Sequence, residues 1–528
     1  MRKKLTLVLV TLLALFLLVG CSTQQEAAVQ KEGQTSQNNT ETLKIGIAKE
    51  PANLNPVLIS GLYGESLAGN IFDTLVSFKE NSAKASPALA ESWEINKAGT
   101  EYTFYLRKGV NFHNGDKLTA DDVKFTLEAI MNPENASPSK EFFEPVKMIE
   151  VIDDYTVKIT LKNPYSPFMM ALGNPTAGII PKKVVEKIGM DEFDRNPIGT
   201  GPFKFAEWIP DDHIKLVKNK DYFLAEPNLD EVIYRPIPKA EVMAAEIQAG
   251  GIDIASDLLP QDIKKLSQDD SLVVKTVSGL SLKYVGFSAQ IKPFSDVRFR
   301  KAVYYAVPID DVVQGIFGDT GDRAYSWIPP SVFPDDNEYM KAHALKQNED
   351  KAKELFAQLK AEGILKDGFE FSIYSPQDPY RKKVATAIAT ELKSYGLNAK
   401  VEALEWGTLL PLLKKGKAGI YIMGWGSVPD PDRWTYKIFH TGSAMNFSKY
   451  SNKVVDQALE QGRRLVGSDK RGTEYKKAMR KALVKDYIHI PLAFTNVTTV
   501  MNKNVEGFEP SPQGYFHLVT DKRNVTIK

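Results

Sequence analysis

Short strand-like and helix-like segments alternate in the second half of the chain. The strand-like runs are residues 369–374, 399–403 and 419–423, and Val384, Ile388 and Leu392 form one face of a helix between the first two. This alternation favours an α/β fold with a mostly parallel sheet and helices on its faces. Ligands of such sheets bind beyond the carboxyl ends of the strands. The loop after residue 423 therefore lies at a candidate binding edge.

That loop has the composition of a contact surface. Gly424-Trp425-Gly426 is followed by two prolines, two aspartates and a second tryptophan, Trp434. Glycine lets a ligand approach the backbone closely, proline stiffens the loop, and tryptophan offers a rigid aromatic face. Because tryptophan is mostly buried in folded proteins, packing of both rings into the core is an equal alternative.

The amino terminus predicts export. A basic start and an uncharged apolar run precede Gly20-Cys21, which is the pattern of a secretory signal peptide over residues 1–20. Residues 18–21 also resemble the bacterial lipobox, which implies that Cys21 is the lipid attachment site. The polar stretch 21–41 predicts a disordered tether behind that lipid.

Bulk composition limits the classes of function. Cys21 is the only cysteine in 528 residues, so no intramolecular disulfide can form. Basic and acidic residues number 67 and 66, and loss of the basic signal peptide leaves a slight acidic excess, which does not favour nucleic acid as a partner. The chain is too long for one core, and we expect a monomer of two or three lobes.

The densest local pattern lies in residues 87–131. Tyr102, Phe104 and Leu106 alternate as a strand, and Asn114-Gly115 is typical of a turn. Thr119 with Asp122 predicts the capped start of a helix.

Residues 87–131 closely resemble the signature of the family 5 extracellular solute-binding proteins, the peptide- and nickel-binding components of ABC transporters. Segments 196–203 and 296–303 resemble further motifs of that family, and Gly424-Trp425 matches its ligand-loop pair. These motifs occur in the expected order and extend the resemblance from about residue 42 to the end of the chain.

The resemblance implies a periplasmic-binding-protein-like fold. Such a fold has two lobes joined by a hinge of two crossing segments, which we expect near residues 284–288 and 489–493, and a third, smaller lobe. The expected boundaries are 42–76, 200–283 and 495–528 for lobe I, 77–199 for the inserted smaller lobe, and 284–494 for lobe II.

The resemblance also implies ligand contacts. Peptide-binding relatives hold an extended backbone by strand-like hydrogen bonds and pair the ligand's ammonium with an aspartate. The matching position here is Val428, and we expect Asp430 to act in its place. Alternatively, the ligand has no free α-ammonium there, and Asp430 and Asp432 are turn-forming residues next to prolines. Tyr63, in a loop after the first strand, is a further candidate that a plain surface loop would explain equally well. The expected ligand-binding residues are Tyr63, Gly424, Trp425, Gly426, Val428, Asp430, Asp432 and Trp434.

The implied function is that of a lipid-anchored, extracytoplasmic receptor that captures peptides for an ABC permease and its ATPases, without a cofactor or a protein-held metal. A receptor for nickel, a metallophore or an oligosaccharide is the alternative, and His440 is then the histidine of interest. An exported hydrolase is a further alternative. It is disfavoured because neither G-x-S-x-G nor H-E-x-x-H occurs.

Overall fold

The computed structural model describes residues 40–78, 84–426, 429–466 and 468–528. Its strands in chain order are β1 (Thr42–Ile47), β2 (Val76–Phe78), β3 (Ala85–Pro87), β4 (Ala90–Ile95), β5 (Glu101–Leu106), β6 (Val146–Asp153), β7 (Thr156–Leu161), β8 (Phe203–Ile209), β9 (His213–Lys218), β10 (Glu231–Pro236), β11 (Ile254–Ala255), β12 (Leu272–Val277), β13 (Ser281–Phe287), β14 (Gly321–Arg323), β15 (Glu370–Pro376), β16 (Asn398–Leu404), β17 (Ile420–Gly426), β18 (His489–Thr495), β19 (Val497–Asn502), β20 (Val505–Glu506), β21 (Val519–Thr520), β22 (Arg523–Asn524) and β23 (Thr526–Ile527).

The α-helices are α1 (Leu62–Ile71), α2 (Ala120–Met131), α3 (Lys140–Phe143), α4 (Phe168–Leu172), α5 (Lys182–Ile188), α6 (Met190–Arg195), α7 (Ala240–Gln248), α8 (Pro260–Leu266), α9 (Val297–Ala306), α10 (Ile309–Phe317), α11 (Pro334–His343), α12 (Glu349–Ala361), α13 (Pro379–Lys393), α14 (Trp406–Lys414), α15 (Pro431–Phe439), α16 (Lys453–Arg464) and α17 (Ser468–Met479). A π-helix, Arg480–Lys485, continues α17. None of the helices in the described ranges is both long enough and apolar enough to cross a membrane.

Three larger sheets organise the chain. A seven-stranded sheet has the order β12-β19-β11-β1-β10-β9-β8, a six-stranded sheet the order β14-β18-β13-β17-β15-β16, and a four-stranded sheet the order β4-β5-β7-β6. The expected α/β class is confirmed, since helices pack on these sheets. In the six-stranded sheet, Val384 and Ile388 of α13 share a buried core with Ile373 and Ile420 of β15 and β17.

The direction of most strands and the position of the two crossing segments differ from what the sequence predicts. Among the strands of the described ranges, only β1 with β10 and β11, and β15 with β16 and β17, pair in parallel. The other neighbours in the two larger sheets are antiparallel. The chain passes between these sheets at residues 278–280 and at Asn496. Residues 284–287 and 489–493 belong instead to paired strands, β13 and β18. Because one strand enters the six-stranded sheet and the other leaves it, they run antiparallel.

The strand and the helix start predicted within the four-stranded region form as expected. Tyr102, Phe104 and Leu106 all face the core, as their period of two predicts. Thr119 precedes α2 as its N-cap, and its backbone N–H donates to Asp122 Oδ2 at 2.9 Å. This reciprocal cap satisfies amide groups that a helix start otherwise leaves unpaired.

Candidate functional site

A cavity of about 830 Å³ is lined by segments from the regions of the three larger sheets. One wall comes from the start of α1 and from residues 510–516, a second from α3, α4 and their flanks, and a third from the ends of β13 and β17. The crossing segments and the strand ends that flank them contribute residues 280–281 and 495–499. A volume of this size is typical of sites for small-molecule ligands.

β17 brings an unpaired strand edge to this cavity. It pairs with β13 along its whole length, whereas it pairs with β15 only at Ile420 and Tyr421. Across the part of the chain that the structure describes, the other edge of β17 from Ile422 to Gly426 has no strand partner, and Gly426 lines the cavity. An extended peptide can add to such an edge as a further strand.

Two cations lie beside that strand. Lys283 lines the cavity and stands opposite Gly424 in the β13–β17 pair. Arg381 Nη2 lies 2.8 Å from the position that a Cβ on Gly424 would take, so this glycine leaves the room that the guanidinium fills. The Lys283 ammonium donates to Ser281 Oγ at 2.8 Å. No acceptor for the buried Arg381 Nε is found among the described residues.

Burial gives the Lys283 ammonium an unusual acidity. Burial, with a smaller effect from the neighbouring Arg381, lowers the pKa of Lys283 to about 8, and the Asp378 carboxylate opposes both effects. A cation that is poorly compensated by the protein is stabilised by an anionic ligand. This end of the cavity is therefore suited to a carboxylate.

A further part of the cavity wall carries charges of both signs. Glu65 of α1 and Arg433 of α15 both line it, and the Tyr515 hydroxyl donates to the Glu65 carboxylate. The Arg433 guanidinium stacks on the Phe142 ring, 3.5 Å from its centroid. Burial raises the pKa of Glu65, while Tyr515 and Arg433 oppose that rise. Burial lowers the pKa of Arg433, while neighbouring anions, Glu141 first among them, oppose that fall.

Asp430 and Asp432 are buried and each is paired with an arginine. Asp430 is the N-cap of α15, accepts from the Asp432 N–H at 2.9 Å, and pairs with Arg471 Nη2 at 2.8 Å. Asp432 accepts two hydrogen bonds from Arg463, at 3.1 and 2.8 Å, and one from the Tyr475 hydroxyl at 2.9 Å. Both carboxylates hold the start of α15 against α16 and α17.

The aromatic candidates are placed differently from one another. Trp425 is half-buried, and its Nε1 donates to the Arg433 carbonyl at 3.0 Å, so it supports the segment that carries Arg433. Trp434 is fully buried in the core, and its carbonyl accepts from Trp327 Nε1 at 2.5 Å. Tyr63 lies on α1 and donates to the Asp257 carboxylate. Of the expected residues that the structure describes, Gly426 lines the cavity.

Other expected positions lie elsewhere. Val428 and Cys21 lie outside the described residues. His440 follows α15, stacks on Tyr436 and contacts Glu460 Oε1 at 3.1 Å. Within residues 40–78, 84–426, 429–466 and 468–528, no group of three His, Cys, Asp or Glu side chains is arranged to hold a metal ion.

Sequence reasoning missed the charged residues of the cavity wall. Lys283 interrupts the otherwise apolar run of residues 282–287 in β13, and that interruption was the available signal. Glu65 and Arg433 had no local signal, because a charge on a short helix is usually solvated. Arg381 also reaches Gly424 from a different element, α13.

The family model described as bacterial extracellular solute-binding proteins, family 5 middle, matches residues 84–446. The dipeptide-binding protein of Escherichia coli (strain K12) is 30% identical, with 90% of this chain and 93% of that protein covered. The structure of the periplasmic binding protein DppA from Helicobacter pylori with the peptide STSA has a TM-score of 0.75 at 29% identity, and the match covers 92% of this chain and 98% of that one.

A related structure holds a different ligand. NikZ from Campylobacter jejuni in complex with Ni(L-His) has a TM-score of 0.73 at 27% identity, and the match covers 92% of this chain and 99% of that one. Together, these matches confirm the expected periplasmic-binding-protein-like fold.

Proposed function

This chain belongs to the bacterial extracellular solute-binding proteins of family 5, and we propose that it captures short peptides in the cavity between its sheets. The observation that carries the proposal is the unpaired edge of β17, which ends at Gly426 in the cavity that Lys283 and Arg433 also line. A peptide backbone adds to the strand edge, and its terminal carboxylate lies near Lys283 and Arg381. Affinity then comes from main-chain hydrogen bonds, while the charged ends fix register.

Closure of the two lobes around the peptide is part of this proposal. The regions built on the seven- and six-stranded sheets are the lobes, and the segments at 278–280 and Asn496 are the hinge. Contacts between the six-stranded region and the four-stranded region, which together with the seven-stranded region lines the cavity, support closure: Lys437 pairs with Glu141, and the Ser166 N–H donates to the Arg463 carbonyl at 2.8 Å. Binding energy is spent on the closed form. A smaller radius of gyration with peptide than without it, in solution X-ray scattering, tests the motion.

The proposed partners follow from the family. The receptor delivers peptide to an ABC permease driven by its ATPases. It is an extracytoplasmic monomer, and a lipid on Cys21 anchors it to the membrane. Metabolic labelling with a fatty acid, lost in Cys21→Ala, tests the anchor. A nickel chelate is the second candidate ligand, because NikZ, 27% identical, holds Ni(L-His).

The proposal predicts that amidation of the peptide's carboxyl terminus weakens binding. The soluble chain from Ser22 is denatured to release bound ligand for mass spectrometry, then refolded and titrated with tripeptides and their carboxamides in a calorimeter. We expect the carboxamide to bind on the order of 30-fold more weakly, since an unmatched buried charge costs about 2 kcal/mol or more. In Lys283→Met/Arg381→Met, this difference should vanish.

A matched control removes an exposed lysine. Lys264→Met, on α8, should keep the full difference between peptide and carboxamide. Absence of peptide binding together with tight binding of nickel-histidine would replace peptide by the second candidate. Equal binding of acid and amide by the wild type would contradict the placement of the carboxylate at Lys283.

Affinity for the free carboxylate is expected to fall as the pH rises above about 8. The pKa of Lys283 in the unliganded protein is lowered to about 8 by burial, so its ammonium deprotonates above that pH. A bound carboxylate raises this pKa, and binding between the two pKa values therefore takes up a proton. Calorimetry near pH 8.5 in buffers with different ionisation enthalpies measures the uptake. Unchanged uptake in Lys283→Met would assign the proton to another group.

A further inference from the structure

Glu65 and Arg433 are an unmatched anion and cation at the same end of the cavity. Glu65 accepts from the Tyr515 hydroxyl, and among the described side chains no cation lies within ion-pair distance of it. Arg433 stacks on Phe142, and its guanidinium has no hydrogen-bond acceptor in the described part of the chain. Arg433 lowers the pKa of Glu65 and Glu65 raises the pKa of Arg433, yet the two residues do not form an ion pair.

The neighbouring charges are already compensated. Three carboxylates near Arg433 already have a cationic partner within the protein, and the cavity-lining Asp257 accepts from the Tyr63 and Ser256 hydroxyls. The pairs are Glu141 with Lys437, Asp430 with Arg471 and Asp432 with Arg463. Glu65 and Arg433, which affect each other's pKa, therefore remain for a ligand to complete.

A ligand with a single charge satisfies only half of this arrangement. An ammonium near Glu65 leaves the five-donor fork of Arg433 without an anion, and a lone carboxylate near Arg433 leaves Glu65 buried without a cation. A group that carries both charges satisfies both residues and keeps the site neutral. Leaving a charge without a counter-ion when the ligand covers it is the costly case.

We propose that this end of the cavity binds an ammonium and a carboxylate carried by one residue of the ligand, with Glu65 receiving the ammonium and Arg433 the carboxylate. The inference rests on the proposed function, which it deepens into a specificity. Two peptide classes present such a group: peptides that begin with aspartate or glutamate, and peptides that begin with a γ-linked glutamyl residue. Glu65 thereby takes the part that an aspartate at position 428 plays in the resembled proteins.

The test compares three peptides that differ only in the first residue. Glu-Ala-Ala, γ-Glu-Ala-Ala and Gln-Ala-Ala are titrated into the soluble chain from Ser22. We expect at least one acidic peptide to bind ten-fold or more tightly than Gln-Ala-Ala, because the uncharged amide leaves Arg433 unpaired. The stronger of the two acidic peptides identifies the linkage that the site prefers.

Three variants assign the preference to its residues. Arg433→Gln should bring the ratio of acidic to Gln-Ala-Ala affinity close to one, Arg433→Lys should restore part of it, and Glu65→Gln should weaken all three peptides. Arg464→Gln is the control, since this exposed arginine does not line the cavity. The ratio is taken within each variant, so a general loss of affinity does not obscure it.

The possible failures are distinguishable. Equal binding of all three peptides by the wild type, or a ratio that survives Arg433→Gln, overturns this inference and leaves peptide capture standing. Absence of binding for every peptide removes both proposals. If Arg433→Gln does not fold, the wild-type ratio and its partial retention in Arg433→Lys still decide the outcome.

Discussion

Asp432→Asn is expected to lower the free energy of unfolding by about 3 to 5 kcal/mol, the usual cost of removing one partner from a buried ion pair. The Asp432 residue is only 2% exposed, and its carboxylate is contacted by Arg463 through Nε at 3.1 Å and Nη2 at 2.8 Å, and by the Tyr475 hydroxyl at 2.9 Å. Asparagine removes the charge and turns an NH₂ group toward these donors. Arg463 is then left without a counter-ion. Urea titration followed by fluorescence measures the change.

A matched control distinguishes this effect from loss of any surface ion pair. Glu370 pairs with Lys400 at 3.2 Å, but its side chain is 64% exposed. Glu370→Gln should therefore change the unfolding free energy by about 1 kcal/mol or less. If Asp432→Asn costs no more than this control, the pair with Arg463 is not a determinant of stability. The start of α15 would then be held by other contacts.

Asp430 and Asp432 show the limit of reasoning from local sequence. Their spacing beside prolines fits a turn, a helix cap or a ligand site equally well. The cap at Asp430 was accessible from the sequence, since a helix follows Pro431. The partners were not, because Arg463 and Arg471 lie on other helices and no local pattern links an aspartate to a distant arginine.

The elements with strong periodicity could be predicted. β5, α2, α13, β15, β16 and β17 all appear where alternation or a helical face placed them. The pairing and direction of these strands within the sheets could be predicted less well. A strand's apolar pattern specifies which face is buried, whereas its direction depends on how the chain enters the sheet. The antiparallel pairing of β13 with both β17 and β18 illustrates this limit.

Two of the segments that resemble family motifs, residues 87–131 and 196–203, contact each other. The His113 ring, from the 87–131 signature, accepts from the Gly199 N–H at Nδ1 over 3.2 Å and lies 3.0 Å from the Gly201 carbonyl at Nε2. Burial lowers the pKa of His113 to about 4, so the ring is neutral and can act as both acceptor and donor. These residues join the four- and seven-stranded regions and do not line the cavity.

Gly199→Ala is expected to destabilise the protein by about 3 kcal/mol, at the upper end of the usual cost of overpacking. A Cβ at this position would lie 2.8 Å from the Ile71 carbonyl carbon and 2.9 Å from Phe72 Cδ1, and would overlap the Ile71 carbonyl oxygen. The obstacle is backbone at the end of α1, and it cannot rotate away as a side chain can. The opposite side of the segment is held by His113. Thermal and urea unfolding measure the loss.

The control for Gly199→Ala is a substitution at a glycine that has free space around it. Gly315 lies exposed within α10 with no atom within 4 Å of its would-be Cβ, so Gly315→Ala should be stabilising by about 0.5 to 1 kcal/mol. Equal effects of the two substitutions would contradict the steric explanation. Because α1 also carries Glu65, displacement of its end by Gly199→Ala should weaken peptide binding as well, whereas Gly315→Ala should leave it unchanged. A substitution outside the cavity would thus lower the affinity for the ligand, because it displaces the helix that carries Glu65.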